Sequence, residues 1–335
     1  MQQIRRILSI DGGGIKGVFP ASFLATVEDT IGDRITNYFD LIVGTSTGGI
    51  IALGLGLGLS SAKILSFYEE LGPEIFGGNR FLKAIRHLVF SKYNDKPLRE
   101  ALERHFGNRT LGESKTRLVI PAMNLDTGEA HLYKTAHNRK NERDYKQLAV
   151  TVALATSAAP TYFPSHQETS GLALIDGGIW ANNPTACAVI EAITNLDWDA
   201  KSLRVLSLGC TTCPPHVGWE KWMPLGQLYW ASRSIDLFMS GQSSSSIGTA
   251  KLFAGEENVL RIDPPATRGR FTLDGIKAIS CLKGLGVSEA RKALSKVREM
   301  FLTHPAPTFE PCYPAIGSTT SHIVISKDVT KFIHQ

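Results

Sequence analysis

The sequence predicts a three-layer α/β protein with a mainly parallel central sheet. Three observations carry this. Short apolar runs alternate with helical stretches as far as about residue 208, the pattern of βα units. Two of those runs, Ile4 to Ile10 and Leu41 to Val43, break at once into glycine-rich turns. Composition agrees: 335 residues, 43% hydrophobic and 20% charged, with 31 Gly. Such a chain can bury a large core and is neither disordered nor collagen-like.

The elements follow in order. Ile4 to Ile10 reads as a short buried strand, then Asp11-Gly12-Gly13-Gly14-Ile15-Lys16-Gly17, then a helix over Pro20 to Asp29 with Phe23, Leu24 and Val27 on one face. Tyr38 to Val43 is a second apolar run, Gly44 to Gly48 a turn, and Gly49 to Leu59 a helix. Ser60 is placed to cap a helix over Ser61 to Leu71. Arg117 to Met123 and Ala130 to Lys134 read as strands, and Val150 to Ser157 as a small-residue helix stopped by Pro160. Leu172 to Ile175 is a strand into Asp176-Gly177-Gly178, Pro184 to Asn195 a helix, and Leu203 to Leu208 a strand. The pattern weakens after Cys213: Pro214-Pro215 breaks the chain, Ser243 to Ser246 is too short a run for a linker, and only Ser288 to Phe301 is a clear helix. The expected organisation is a catalytic core over residues 1–212 and a C-terminal elaboration of the same domain over 213–335.

Charge and cysteine usage narrow the classes. A net charge of +5 with no basic tract is too little for a nucleic-acid polymer. It suits an anionic lipid surface or a phosphate-bearing ligand. Five scattered cysteines argue against a disulfide framework and for a reducing compartment. Cys210-x-x-Cys213 lacks a second pair or a nearby His to complete a zinc set, so two structural thiols are expected. Met1 to Arg6 leads straight into Ile7-Leu8-Ser9-Ile10, so no secretory leader is expected. Leu41 to Ala62 is uncharged and long enough to span a bilayer. Its six glycines and the Thr45-Ser46-Thr47 block fit a buried strand, turn and helix better.

Gly44-Thr45-Ser46-Thr47-Gly48 matches G-x-S-x-G between an apolar strand and an apolar helix, the context a nucleophile elbow requires. The hydroxyl of Ser46 would stand at a helix N-terminus, where the dipole favours developing negative charge. The Gly12 to Gly17 loop admits two readings. It fits the dinucleotide fingerprint G-x-G-x-x-G, or it aims backbone N–H groups at an oxyanion. The first wants an acidic residue at the end of the next strand; that strand runs into the serine turn instead, which favours the second. A serine needs a base. None of nine histidines follows a strand end in Ser–acid–His order. Asp176 ends a strand, and partial burial can raise a carboxylate into the range of a base.

Taken together, Asp11-Gly-Gly-Gly-Ile-Lys-Gly17, Gly44-Thr-Ser-Thr-Gly-Gly49, Ser157-Ala-Ala-Pro-Thr-Tyr-Phe-Pro164 and Asp176-Gly-Gly-Ile-Trp-Ala-Asn-Asn-Pro184 closely resemble the patatin-like phospholipases. The resemblance covers roughly Arg5 to Leu208. It implies a Ser46–Asp176 dyad without histidine and an oxyanion hole from the amides of Gly12, Gly13 and Gly14. Lys16, Gly17, Gly44, Gly48, Gly177 and Gly178 would support these motifs. It implies hydrolysis of glycerophospholipid acyl esters through an acyl-serine, with no metal and no cofactor.

A narrower set, Tyr93-Asn-Asp-Lys-Pro-Leu-Arg99, Ile120-Pro-Ala-Met-Asn124 with Thr127-Gly128, and Lys134-Thr-Ala-His-Asn138, resembles the bacterial patatin-like effectors of cyclic-oligonucleotide anti-phage signalling (CBASS). That implies a cytoplasmic enzyme, peripheral at the inner membrane when active and switched on by a cyclic oligonucleotide. Homo-oligomer formation is left open. The alternatives are an ungated lipid acyl hydrolase and a non-catalytic phosphate- or dinucleotide-binding module. For bilayer contact, Arg80 to Phe90 and the aromatic stretch Trp219 to Trp230 are candidates.

Overall fold

The computed structural model describes residues 3–76, 91–212, 234–267 and 269–315. Arg80 to Phe90, Trp219 to Trp230 and Cys213 lie outside the described residues.

Eight strands form one sheet: β1 (Arg5–Ile10), β2 (Leu41–Gly44), β3 (Arg117–Asn124), β4 (Ala130–Lys134), β5 (His166–Gln167), β6 (Ala173–Asp176), β7 (Leu203–Leu208) and β8 (Val259–Ile262). The order is β5-β6-β3-β2-β1-β7-β8, with β4 on β3. The pairs β1–β2, β1–β7, β2–β3 and β7–β8 are parallel, whereas β3–β4, β3–β6 and β5–β6 are antiparallel.

Strand periodicity sorts side chains into two cores. Leu8, Ile10, Ile42, Leu118, Ile120, Leu206 and Leu208 face one side. There they meet α1 (Val18–Ile31), α2 (Thr47–Gly56), α3 (Ser61–Phe76), α4 (Lys96–Phe106), α5 (Ala149–Ser157) and α9 (Ile279–Phe301). Ile7, Leu41, Val43, Val119 and Val205 face the other side. They pack on α7 (Thr185–Thr194) and α8 (Ser234–Ala254). A one-turn helix, α6 (Gly178–Ala181), precedes α7. The result is the predicted three-layer arrangement.

Two differences matter for the site. The serine run lies inside α8, and β8 adds a parallel strand beyond β7, so the sheet continues past residue 212. The α9 helix begins at Ile279, nine residues before Ser288. Gly284 and Gly286 had hidden that first part of the helix. Gly286 is where α9 comes closest to α1: a Cβ there would meet the Phe19 carbonyl oxygen at 2.7 Å.

The second difference is in β6. It runs antiparallel to β3, so Asp176 does not end one of the parallel strands that the sequence predicts for most of the sheet. Val119 pairs with both Val43 of β2 and Lys134 of β4, and Ala122 pairs with both Asp176 of β6 and His131 of β4. A strand has two edges, and β4 takes one of them. Hence β2 and β6 lie in the same lane along the other edge of β3 and approach each other end to end.

Candidate active site

The gap between those two strand ends is where the chemistry-bearing residues meet. Leaving β2, the chain turns through Gly44 and Thr45 into Ser46, which is held at φ 55° and ψ −122°. This left-handed conformation costs on the order of 1–3 kcal/mol for a residue with a side chain. Its surroundings enforce it. The Ser46 N–H donates to Thr156 Oγ1 at 2.9 Å, and Thr45 Oγ1 donates to the Ala181 carbonyl at 2.6 Å. Tyr68 OH donates to the Thr47 carbonyl at 2.8 Å and accepts from Thr47 Oγ1 at 2.6 Å. A Cβ on Gly48 would overlap the Ile10 carbonyl oxygen, so only glycine lets α2 approach β1 this closely.

From the opposite direction β6 delivers Asp176. Ser46 Oγ donates to Asp176 Oδ2 at 2.6 Å, and the Gly178 N–H donates to Oδ1 at 2.7 Å. Gly177 packs against the Pro121 carbonyl without room for a Cβ, which brings the chain out of β6 at that point. Both side chains are buried, Ser46 at 9% and Asp176 at 5% exposure. Burial pushes the Asp176 carboxyl up to about 6, against the opposing effect of the bonds from Ser46 and Gly178. Its proton affinity is therefore close to that of a base working near neutrality.

The glycine loop lies beside the serine. Of the three amides expected there, that of Gly12 donates to the Asn182 carbonyl at 3.0 Å. It is already engaged, because the loop is tied to the chain that follows α6. Among the described residues the Gly13 and Gly14 N–H groups have no hydrogen-bond partner, and both residues line the cavity that holds Ser46. Gly14 sits at φ 57°, against the Leu273 carbonyl oxygen. Gly17 packs on the Thr47 side chain. Lys16 is half-buried on the same turn.

That cavity measures about 420 Å³ and opens onto Ser46 and Asp176. Phe67, Leu71 and Ile75 of α3, Leu98 of α4 and the Ala159 to Phe163 wall make it largely apolar. Ile179 and Phe238 at its mouth are 54% and 74% exposed.

Sequence reasoning missed the support beneath the glycine loop. Asp11 takes a two-pronged bond from Arg261 of β8, with Nη1–Oδ1 2.8 Å and Nη2–Oδ2 2.6 Å. Arg261 also reaches Ser207 Oγ and Asp263 Oδ2, each at 2.8 Å. Burial works against the guanidinium charge, but Asp11 and Asp263 outweigh it and raise the Arg261 pKa. The unusual placement of Asp11 next to three glycines was the only available hint. His166 is not among the residues lining the cavity that holds Ser46; it lines a small cavity with Asp95 and Ser157.

Known proteins are similar to this chain over most of its length. The pattern of the family described as patatin-like phospholipase matches residues 8–189. A cGAMP-activated phospholipase from Pseudomonas aeruginosa is 34% identical over 296 residues, 86% of this chain and 88% of its own. One of the same name from Escherichia coli is 38% identical over 218 residues, 61% of each chain. Patatin-like protein 3 of Arabidopsis thaliana is 30% identical over a match that covers 88% of this chain and 82% of its own. With the matched pattern running from β1 through the serine turn and Asp176 into α7, this chain belongs to the patatin-like phospholipases and is a lipid acyl hydrolase.

Proposed function

We propose that the chain hydrolyses acyl esters of membrane glycerophospholipids with Ser46 as nucleophile and Asp176 as base. The observation that carries this is the 2.6 Å bond from Ser46 Oγ to a buried, proton-attracting carboxylate at an apolar cavity. Asp176 takes the serine proton as Oγ attacks the ester carbonyl. The oxyanion forms beside Gly13 and Gly14, whose two free amides support it as donors. Asp176 then gives the proton to the departing lysolipid alcohol. A water, deprotonated by the same carboxylate, releases the fatty acid and restores Ser46. The exposed Ile179 and Phe238 at the mouth suit peripheral contact with a bilayer, where the substrate resides. Among the described residues no helix is long and apolar enough to cross a membrane. The cytoplasmic face of the inner membrane is the proposed place of action. Residues 213–335 are read as an elaboration of the same domain, supported by β8 in the main sheet and by α9 on α1.

A cyclic oligonucleotide is the proposed activator, supported by the names of the bacterial relatives. The test is fatty-acid release from mixed bacterial phospholipid vesicles, with and without cGAMP and a panel of other cyclic di- and trinucleotides. Release dependent on one nucleotide supports the gated enzyme. Equal release with and without all of them removes the gating and leaves the ungated hydrolase. No release, together with no fluorophosphonate labelling of Ser46, sinks the dyad.

A further inference from the structure

We propose that Asp274, held by Lys92 and Tyr93, is a positioning residue that fixes the oxyanion loop from outside the catalytic core. The inference rests on the dyad reading above and goes beyond it, because none of these three residues touches the reacting atoms.

The contacts run in a continuous path. The Ile15 N–H donates to the Leu273 carbonyl at 2.8 Å. Gly14 lies against the same carbonyl, with no room for a Cβ. The bond fixes the Gly14–Ile15 peptide and the packing fixes the Gly14 Cα, so the placement of the adjoining Gly14 N–H, one of the two free donors, depends on where the Leu273 backbone sits. The next residue is Asp274. Its Oδ2 accepts from Lys92 Nζ at 2.5 Å and from Tyr93 OH at 2.8 Å. Lys92 and Tyr93 are themselves fixed to the cavity wall: their N–H groups donate to the Thr161 and Tyr162 carbonyls at 2.9 and 2.8 Å. The Tyr93 ring stacks on Tyr162 with centroids 6.4 Å apart. Asp274 thus joins one wall of the cavity to the loop that supplies the amides.

This arrangement differs from an ordinary surface ion pair. The side chains are only 26% and 17% exposed, and a phenol and an ammonium converge on one carboxylate oxygen. Partial burial alone would raise the Asp274 pKa, yet the bonds from Lys92 and Tyr93 hold it below the ordinary carboxylate value. The pair also explains the Tyr93 motif, which the dyad chemistry leaves without a role. Small displacements of a preorganised donor are costly: about 1 Å costs on the order of 100-fold in rate.

The test separates positioning from mere support of the fold. Active sites of wild type, Asp274→Ala and Asp274→Asn are titrated with a fluorophosphonate. The phosphonylation rate, and kcat and KM on a soluble p-nitrophenyl ester, are then measured per titrated site, with and without cGAMP. Asp274→Ala is expected to lower kcat and the phosphonylation rate about 10- to 100-fold, with KM within about twofold. Asp274→Asn keeps the Tyr93 bond and falls between. Rates per titrated site equal to wild type in both variants overturn the proposal, even if fewer sites titrate, since that is the signature of a structural role. If Asp274→Ala does not fold, Tyr93→Phe serves: it keeps the ring stacking and removes one hydroxyl, and a several-fold loss is expected against none. Failure of wild type to label at Ser46 overturns the dyad, and the positioning role with it.

Discussion

Ser46 and Asp176 are bound to each other and to little else that could substitute for them. Ser46→Ala and Asp176→Asn are each expected to reduce fatty-acid release by at least about 1,000-fold while the melting profile stays cooperative. The pH dependence follows from the buried carboxyl. In the proposed mechanism Asp176 must be ionised to accept the proton, so kcat/KM should rise with pH through about 6 and level off above it. Stability moves the other way. The folded value lies above the ordinary 3.8, so the folded state holds the proton more tightly. The associated stability is complete below 3.8 and is lost as pH rises through 6. Asp176→Asn should therefore be more stable than wild type at pH 8, by up to about 3 kcal/mol. Urea titration at pH 5 and pH 8 reads the difference, and a less stable variant at pH 8 would contradict it. These two residues were legible in the sequence because each stands beside glycines in a strand-to-helix turn. The bond from Gly12 to Asn182 was not, because a backbone amide carries no residue-type signature.

At the level of elements, the strands before residue 208 could be read because runs such as Leu41-Ile42-Val43 are apolar and sharply bounded, here by Asp40 and Gly44. Direction could not. A four-residue strand such as Ala173–Asp176 has the same pattern in either orientation, and only pairing with β3 makes it antiparallel. The C-terminal elements were obscured for a different reason. The serines of α8 are helical because they bond to the chain before α7: Ser246 Oγ donates to the Asn183 carbonyl at 2.8 Å, and the Asn183 N–H donates to Gln242 Oε1 at 2.9 Å. Tertiary contacts there override a weak helical propensity. The same holds for Arg261 of β8, which has no motif around it. Arg261→Met should cost about 3–5 kcal/mol by leaving Asp11 and Asp263 buried without a cation. Adding Asp11→Asn should recover part of that loss, and denaturant midpoints of the single and double variants check both statements. At α9, Phe301 is fully buried and stacks on Phe39 at 5.7 Å. Phe301→Ala should lower stability by about 3–5 kcal/mol in the same assay.

For the whole molecule, acid and base behaviour divide between the two sides of the sheet. On the α7 side, Glu191 takes bonds from Lys134 at 2.7 Å and from Asn195 at 2.8 Å, and lies 2.9 Å from His137 Nε2. Burial alone would raise its carboxyl, but these partners pull it down from 4.5 to about 2. Its contribution to stability is present above 4.5 and is lost as pH falls through 2. Set against Asp176, whose contribution is already declining above 3.8, these two groups together favour the fold most near pH 4, below the pH at which the enzyme becomes fully active. Melting temperature and turnover measured across the same buffers should therefore peak at different pH values. The end-to-end meeting of β2 and β6 has a further consequence, for the making of the protein. Ser46 and Asp176 lie 130 residues apart, and Asp11 is 250 residues from the arginine that steadies it. Such distant contacts close late, after the intervening chain has been synthesised. On the proposed dyad, a nascent chain still on the ribosome would carry the serine long before it has an acid or a steadied loop, and would gain hydrolytic competence only once Arg261 has been added.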